Sequence, residues 1–190
     1  MQEVKAIYAG LVLVESKCMD IDEKQLRIAR DPDRTKRLPL KGDQWLVLIA
    51  LHKTLLHEHH DFFLASQHPS ASEALTRLAE KYTMPARMWK HAIHAFLEVL
   101  RHHLPSSHEF MLTFLNISYS MMALLLETVP MFEDIWVESL GDLSRYRMAI
   151  ADNEQRDGDI WAGVARSWYG RAANRHPEVS FLPSLKALSA

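Results

Sequence analysis

Helical periodicity runs the length of this chain, and prolines punctuate it at the ends of the periodic stretches. Val4, Ile7, Tyr8, Leu11, Val14, Cys18, Ile21 and Ile28 recur at mostly three- and four-residue steps, the spacing of one face of an α-helix. Asp31-Pro32-Asp33 stops this first helix, and a basic connector runs to Pro39. Asp43 is placed to cap a second long helix, with Trp45, Leu48, Leu51, Leu55 and Phe62 on its buried stripe. Pro69 breaks it. Ser70-x-x-Glu73 and Ser106-x-x-Glu109 have the form of capping boxes, one opening a short helix to Tyr82 and the other an apolar helix that ends at Pro130. Between them Pro85 sits in the first turn of a helix ending before Pro105. The last two helices span 131–150 and 157–175, separated by the polar run Asp152-Asn153-Glu154-Gln155. Strict alternation nowhere lasts beyond a few residues, so the chain is predicted to be all-α: seven helices, no sheet, stacked as antiparallel hairpins.

At 190 residues the chain suits one domain, and its 48% apolar content supplies a core. Six glycines and eight prolines are too few for a turn-rich all-β protein or a disordered one. The single cysteine, Cys18, allows no internal disulfide and fits a reducing compartment. The apolar run from Ala6 to Val14 lies between Glu3 and Glu15, unlike a signal peptide. No stretch approaches the roughly 18 to 20 apolar residues that cross a bilayer. The expectation is a soluble protein of the nucleus or cytoplasm, with no membrane contact.

Near the end of the chain, Ala165, Tyr169, Ala172 and Pro177 have the spacing A-x3-(F/Y)-x2-A-x4-P, which closes the second helix of a tetratricopeptide-type hairpin. Leu140-Gly141 supplies the first helix, where a glycine lets its neighbour approach closely. Leu140 lies 25 residues before Ala165, against about 13 in the ordinary repeat, so these helices are longer. Such a pair buries its apolar face only by stacking on other helices.

The element Leu140-Gly141-Asp142-Leu143-Ser144-Arg145-Tyr146-Arg147, followed by Trp168-Tyr169-x-x-Ala172 and a proline, resembles the telomerase-activating Est proteins and the SMG adaptors of nonsense-mediated mRNA decay. The segment from Leu51 to Phe63 is similar to the version found in filamentous fungi, and Met88-Trp89-Lys90-His91-Ala92 to the family's early Trp-bearing helix. The resemblance covers residues 1–179 and implies a single 14-3-3-like, tetratricopeptide-type helical domain, with 180–190 as a short tail departing from the family. It implies a phosphopeptide site in which a lysine five positions after the tryptophan works with an arginine of the Arg-Tyr-Arg helix. Here His94 occupies that lysine position, a weaker and pH-dependent cation. The family continues past the proline with a helix that seals the hairpin; this chain has Ser180-Phe181-Leu182-Pro183-Ser184 instead, so an open apolar face near Trp168 and Leu182, and self-association, are expected.

The residues that could carry chemistry each have a plainer reading. Among eleven histidines, the pairs His57/His60 and His91/His94 (with Glu98 four beyond) share helix faces as metal ligands must. No H-E-x-x-H occurs and no E-x-x-H recurs, so hydrogen-bonded or exposed histidines are expected, with no metal and no cofactor. Cys18 has no basic neighbour three or four residues away to activate it and reads as a small apolar filler. No nucleophile elbow, P-loop or dinucleotide fingerprint is present. Arg147 shares a face with Trp136, Leu140, Leu143 and Ile150, whereas Arg145 lies beside Asp142. An arginine at the edge of an apolar stripe needs a carboxylate or phosphate partner, which an internal ion pair would also supply.

The expectation is a non-catalytic adaptor that binds a protein or phosphopeptide through Arg145, Arg147, Lys90 and His94, in the RNA-decay or telomerase-associated complexes that the resemblance implies. The alternative is a nucleic-acid module, for RNA or single-stranded DNA, using Arg27, Arg30, Arg34, Lys36, Arg37 and Lys41. These residues would contact phosphates in a salt-sensitive way, although no aromatics are interleaved for base stacking.

Overall fold

The computed structural model describes residues 2–31, 40–151 and 155–175. Arg34, Lys36 and Arg37, together with the tail from residue 176, lie outside them. Taking 73–81 and 84–102 each as one helical segment, the described residues form seven helices and no strand. They fall into two compact units, residues 1–133 and 134–190.

In the first unit, α1 (Gln2–Arg30) and α2 (Gly42–Ser66) form the first hairpin. Tyr8 packs on Phe62 and Asp22 meets His52, so the two run antiparallel. Two single turns, α3 (Glu73–Thr76) and α4 (Leu78–Lys81), lead to a continuous helical stretch: α5 (Met84–Arg87), a π-helical segment (Met88–His94) and α6 (Ala95–His102). Its core residues Met84, Met88, Ala92, Phe96 and Leu100 are all fully buried and fall at steps of four. Four residues overshoot one α-helical turn by about 40°, so this stripe would wander round a pure α-helix; the wider π turn brings it back to the seam. Then α7 (His108–Thr128) returns antiparallel, stacking Phe114 edge-on against Phe96 at 4.8 Å. Trp45 packs with Phe96, His103 and Phe110 at the other end of α2.

Several sequence expectations need correction. Helix α2 begins at Gly42 with Lys41 as its cap residue, so Asp43 lies in the first turn; Gln44 reaches back to accept the Lys41 N–H at 2.8 Å. The caps of α3 and α7 are Ser72 and Ser107, one or two residues beyond the expected serines. Ser107 is buried and donates to the Leu100 carbonyl at 2.5 Å, tying α6 to α7 instead of closing a capping box. Helix α7 is also long and apolar enough to cross a membrane by length and composition, contrary to the sequence expectation. Its Met111, Phe114, Leu115, Met122 and Leu125 are buried in this structure.

In the second unit, α8 (Glu133–Ala149) and α9 (Gln155–Arg175) form an antiparallel hairpin, as the pairs Asp134–Arg175 and Arg147–Asp157 require. Ala165 and Ala172 are buried on α9 and Leu140 and Leu143 on α8. The small residues of α9 let the helices close, and Gly141 meets the Tyr169 ring. Trp168 is half-buried; Leu182, named beside it in the sequence reading, lies outside the described residues.

Candidate functional site

The arginines of the Arg-Tyr-Arg element lie on α8, and carboxylates hold both. Arg145 Nη1 is 3.7 Å from Asp142 Oδ1, one turn back on the same helix. That oxygen also accepts a hydrogen bond from the Tyr169 hydroxyl at 2.5 Å, which links α9 to α8. Burial, and then the bond to Asp142, push the Tyr169 hydroxyl pKa up. Arg147 crosses to α9: Nη1 is 2.8 Å from Asp157 Oδ2, and the guanidinium lies 5.6 Å from the centroid of the Trp161 ring. The side chains of Arg145 and Arg147 keep 25% and 20% of their surface exposed. An incoming anion would therefore share or displace a carboxylate at either position.

Lys90 and His94 lie one turn apart on the π-helical segment of the first unit, both exposed. The His94 ring is 6.4 Å from that of Trp89. Of the basic connector, Arg27 sits 3.6 Å from Glu23 at the exposed end of α1, and Arg30 and Lys41 are exposed.

The most unusual chemistry of the first unit is in the seam between α1, α2 and the 84–102 stretch, and the sequence reading missed it. Glu15, Asp22, His52 and His59 are all buried there. Arg87 donates from Nε to Glu15 Oε1 at 3.1 Å and from Nη2 to Glu15 Oε2, and a further bond from Nη1 reaches the Tyr8 hydroxyl at 3.1 Å. The bidentate pair with Glu15 outweighs burial and raises the arginine's pKa.

Seven residues apart on α2, two histidines sit in opposite electrostatic settings. His52 Nδ1 faces the Leu48 carbonyl at 2.9 Å and Nε2 faces Asp22 Oδ2 at 3.1 Å. Both partners are acceptors, so both nitrogens carry protons and the ring is an imidazolium. Burial alone would lower its pKa, but the bonds to Asp22 and Cys18 prevail and raise it to about 10. Cys18 therefore has a basic neighbour from another helix, which corrects the reading of it as mere filler. His59 Nδ1 donates to the Leu55 carbonyl at 2.9 Å, while Nε2 is buried without a hydrogen-bond partner. Desolvation dominates here, and the pKa falls to about 4, which keeps the ring neutral.

The Cys18–His52–Asp22 grouping has the residue types of a nucleophile and its base, yet all three side chains are shielded from solvent, so a substrate has no route to the sulfur. As folded, His52 and Asp22 form a buried ion pair through Oδ2, while Asp22 Oδ1 is buried without a hydrogen-bond partner. Among the described residues no three His, Cys, Asp or Glu side chains stand close enough to hold a metal ion together. The signal that could have exposed the seam was present in α1, where Glu15 and Asp22 are seven residues apart on the face of Leu11 and Cys18. Carboxylates on an apolar stripe call for partners from another helix.

No family model, curated protein or solved structure matches this chain.

Proposed function

We propose that the protein is a non-catalytic helical adaptor that binds a protein segment through cationic positions on its helices, in the setting of RNA-decay or telomerase-associated complexes. The observation that carries this reading is the arrangement of Arg145 and Arg147. Both guanidinium groups are part-exposed on the α8–α9 hairpin, and each is steadied by an acidic side chain of the same unit. Planar forks fixed in this way suit carboxylate or phosphate groups on an extended peptide. Lys90 and His94 offer a second exposed cationic position on the first unit.

The test is fluorescence anisotropy with a phosphoserine peptide library, its dephosphorylated copies and a single-stranded RNA oligonucleotide. The expected result is peptide binding that falls about tenfold or more in the Arg145→Glu, Arg147→Glu double variant, as loss of charge-assisted hydrogen bonds predicts. Asp157→Asn should strengthen it by releasing Arg147. Binding that ignores both substitutions overturns the reading. Salt-steep binding of the RNA alone would place function in the basic segment that includes Arg27, Arg30 and Lys41.

A further inference from the structure

Where the start of α1 passes the end of α2 and the α3–α4 turns, a cavity of about 360 Å³ opens at the surface of the first unit. Its wall is apolar, formed by Val4, Phe62, Leu75 and Leu78, and one side is the ring pair of Tyr8 and Tyr82. Those rings stack at 5.4 Å with 27° between their planes. Thr83, immediately after Tyr82, takes up a left-handed backbone conformation (φ 48°) that a β-branched residue adopts at a cost.

Lys5 is the charged side chain among the lining residues and is exposed; Arg87, behind Tyr8, is already paired with Glu15. Lys81 Nζ lies 5.8 Å from the centroid of Tyr82, and the Arg87 guanidinium 5.7 Å from that of Tyr8. No acidic residue lines the cavity among the described residues. An apolar chamber with a few placed polar groups is the usual form of a small-molecule site. At roughly 30 Å³ per heavy atom, taken from the volume of liquid water, it holds about a dozen.

We propose that this cavity binds a small amphipathic carboxylate: an apolar tail of about ten carbons against Phe62, Leu75 and the tyrosine pair, with its head group at Lys5. A cationic or neutral amphiphile would gain the same apolar contact without the charge match. This site belongs to the first unit, uses none of the residues of the proposed peptide contact on α8, and does not depend on that reading.

Isothermal titration of the full chain with decanoate, 1-decanol and decylamine tests it. Decanoate should saturate one site per chain, with decylamine the weakest of the three. Lys5→Glu, at an exposed position, should weaken decanoate roughly three- to fivefold, the size of a part-exposed ion pair, and leave 1-decanol unchanged. Ala74→Phe, which fills the cavity from exposed α3, should abolish binding of both. Absence of saturable decanoate binding, equal affinity for decylamine, or unaltered binding in a folded Ala74→Phe variant would each overturn the proposal. So would occupation of the cavity by a second copy, seen as concentration-dependent mass in light scattering that Ala74→Phe removes.

Discussion

The Tyr169 ring lies almost where a side chain at residue 141 would begin: a Cβ built on Gly141 comes within 2.8 Å of Tyr169 Cε1 and 2.9 Å of Cζ. The ring cannot simply swing away, because its hydroxyl is bonded to Asp142 on the facing helix. Glycine at 141 and tyrosine at 169 therefore define one close contact between α8 and α9.

Gly141→Ala should destabilise the second unit by about 1 to 3 kcal/mol, the range for overpacking a closed interface. The gain in helix propensity from alanine, about 1 kcal/mol, works in the other direction, so any net loss reports the clash. Amide exchange across α8 and α9 is the direct readout. Protection equal to the parent's would mean the helices do not close at Gly141. Tyr169→Leu in the same chain should restore most of the loss.

A second prediction concerns Arg87, which anchors the buried Glu15 from 72 residues away in sequence. Arg87→Met keeps the aliphatic stem but leaves a carboxylate buried without its cation, a change that typically costs about 3 to 5 kcal/mol. Glu15→Leu with Arg87→Met removes both charges and should recover much of that loss, since a buried ion pair is often replaceable by apolar packing. Urea unfolding of the two singles and the double closes the cycle; additive losses would show that the two side chains do not act as a pair.

The elements were legible in the sequence because a helix repeats its apolar face locally. The stripes of α1 and α2 need only a dozen neighbouring residues to be seen, and Gly141 could be placed at a close approach from the Ala165, Tyr169, Ala172 spacing. Cap positions shifted by a residue or two, because Ser70, Ser72, Ser106 and Ser107 all have the right side chain and only the turn geometry chooses between them. The seam was hidden for a different reason. Glu15 finds Arg87, and Asp22 finds His52, across distances in sequence that no local periodicity encodes. Even the π turn left a trace in the steps of four from Met84 to Leu100, which fit a pure α-helix poorly.

The two buried histidines of α2 give stability opposite dependences on pH. His59 is held at a pKa of about 4, below the ordinary 6.5 of the unfolded chain. The unfolded state therefore takes up its proton first, and stability falls as pH drops from 6.5 toward 4, by about 3 kcal/mol over that interval. His52 is held at about 10, so its contribution is complete below pH 6.5 and fades as pH rises through 10. The parent chain should accordingly lose stability on both sides of an optimum near pH 6 to 7. His59→Leu should flatten the acid side selectively, because Nε2 has no hydrogen bond to lose and the Leu55 carbonyl already serves the helix. Urea unfolding at pH 4.5, 5.5, 6.5 and 8.5, read by amide exchange in α1 and α2, measures both limbs. An acid limb as steep in His59→Leu as in the parent would overturn the assignment of that limb to His59.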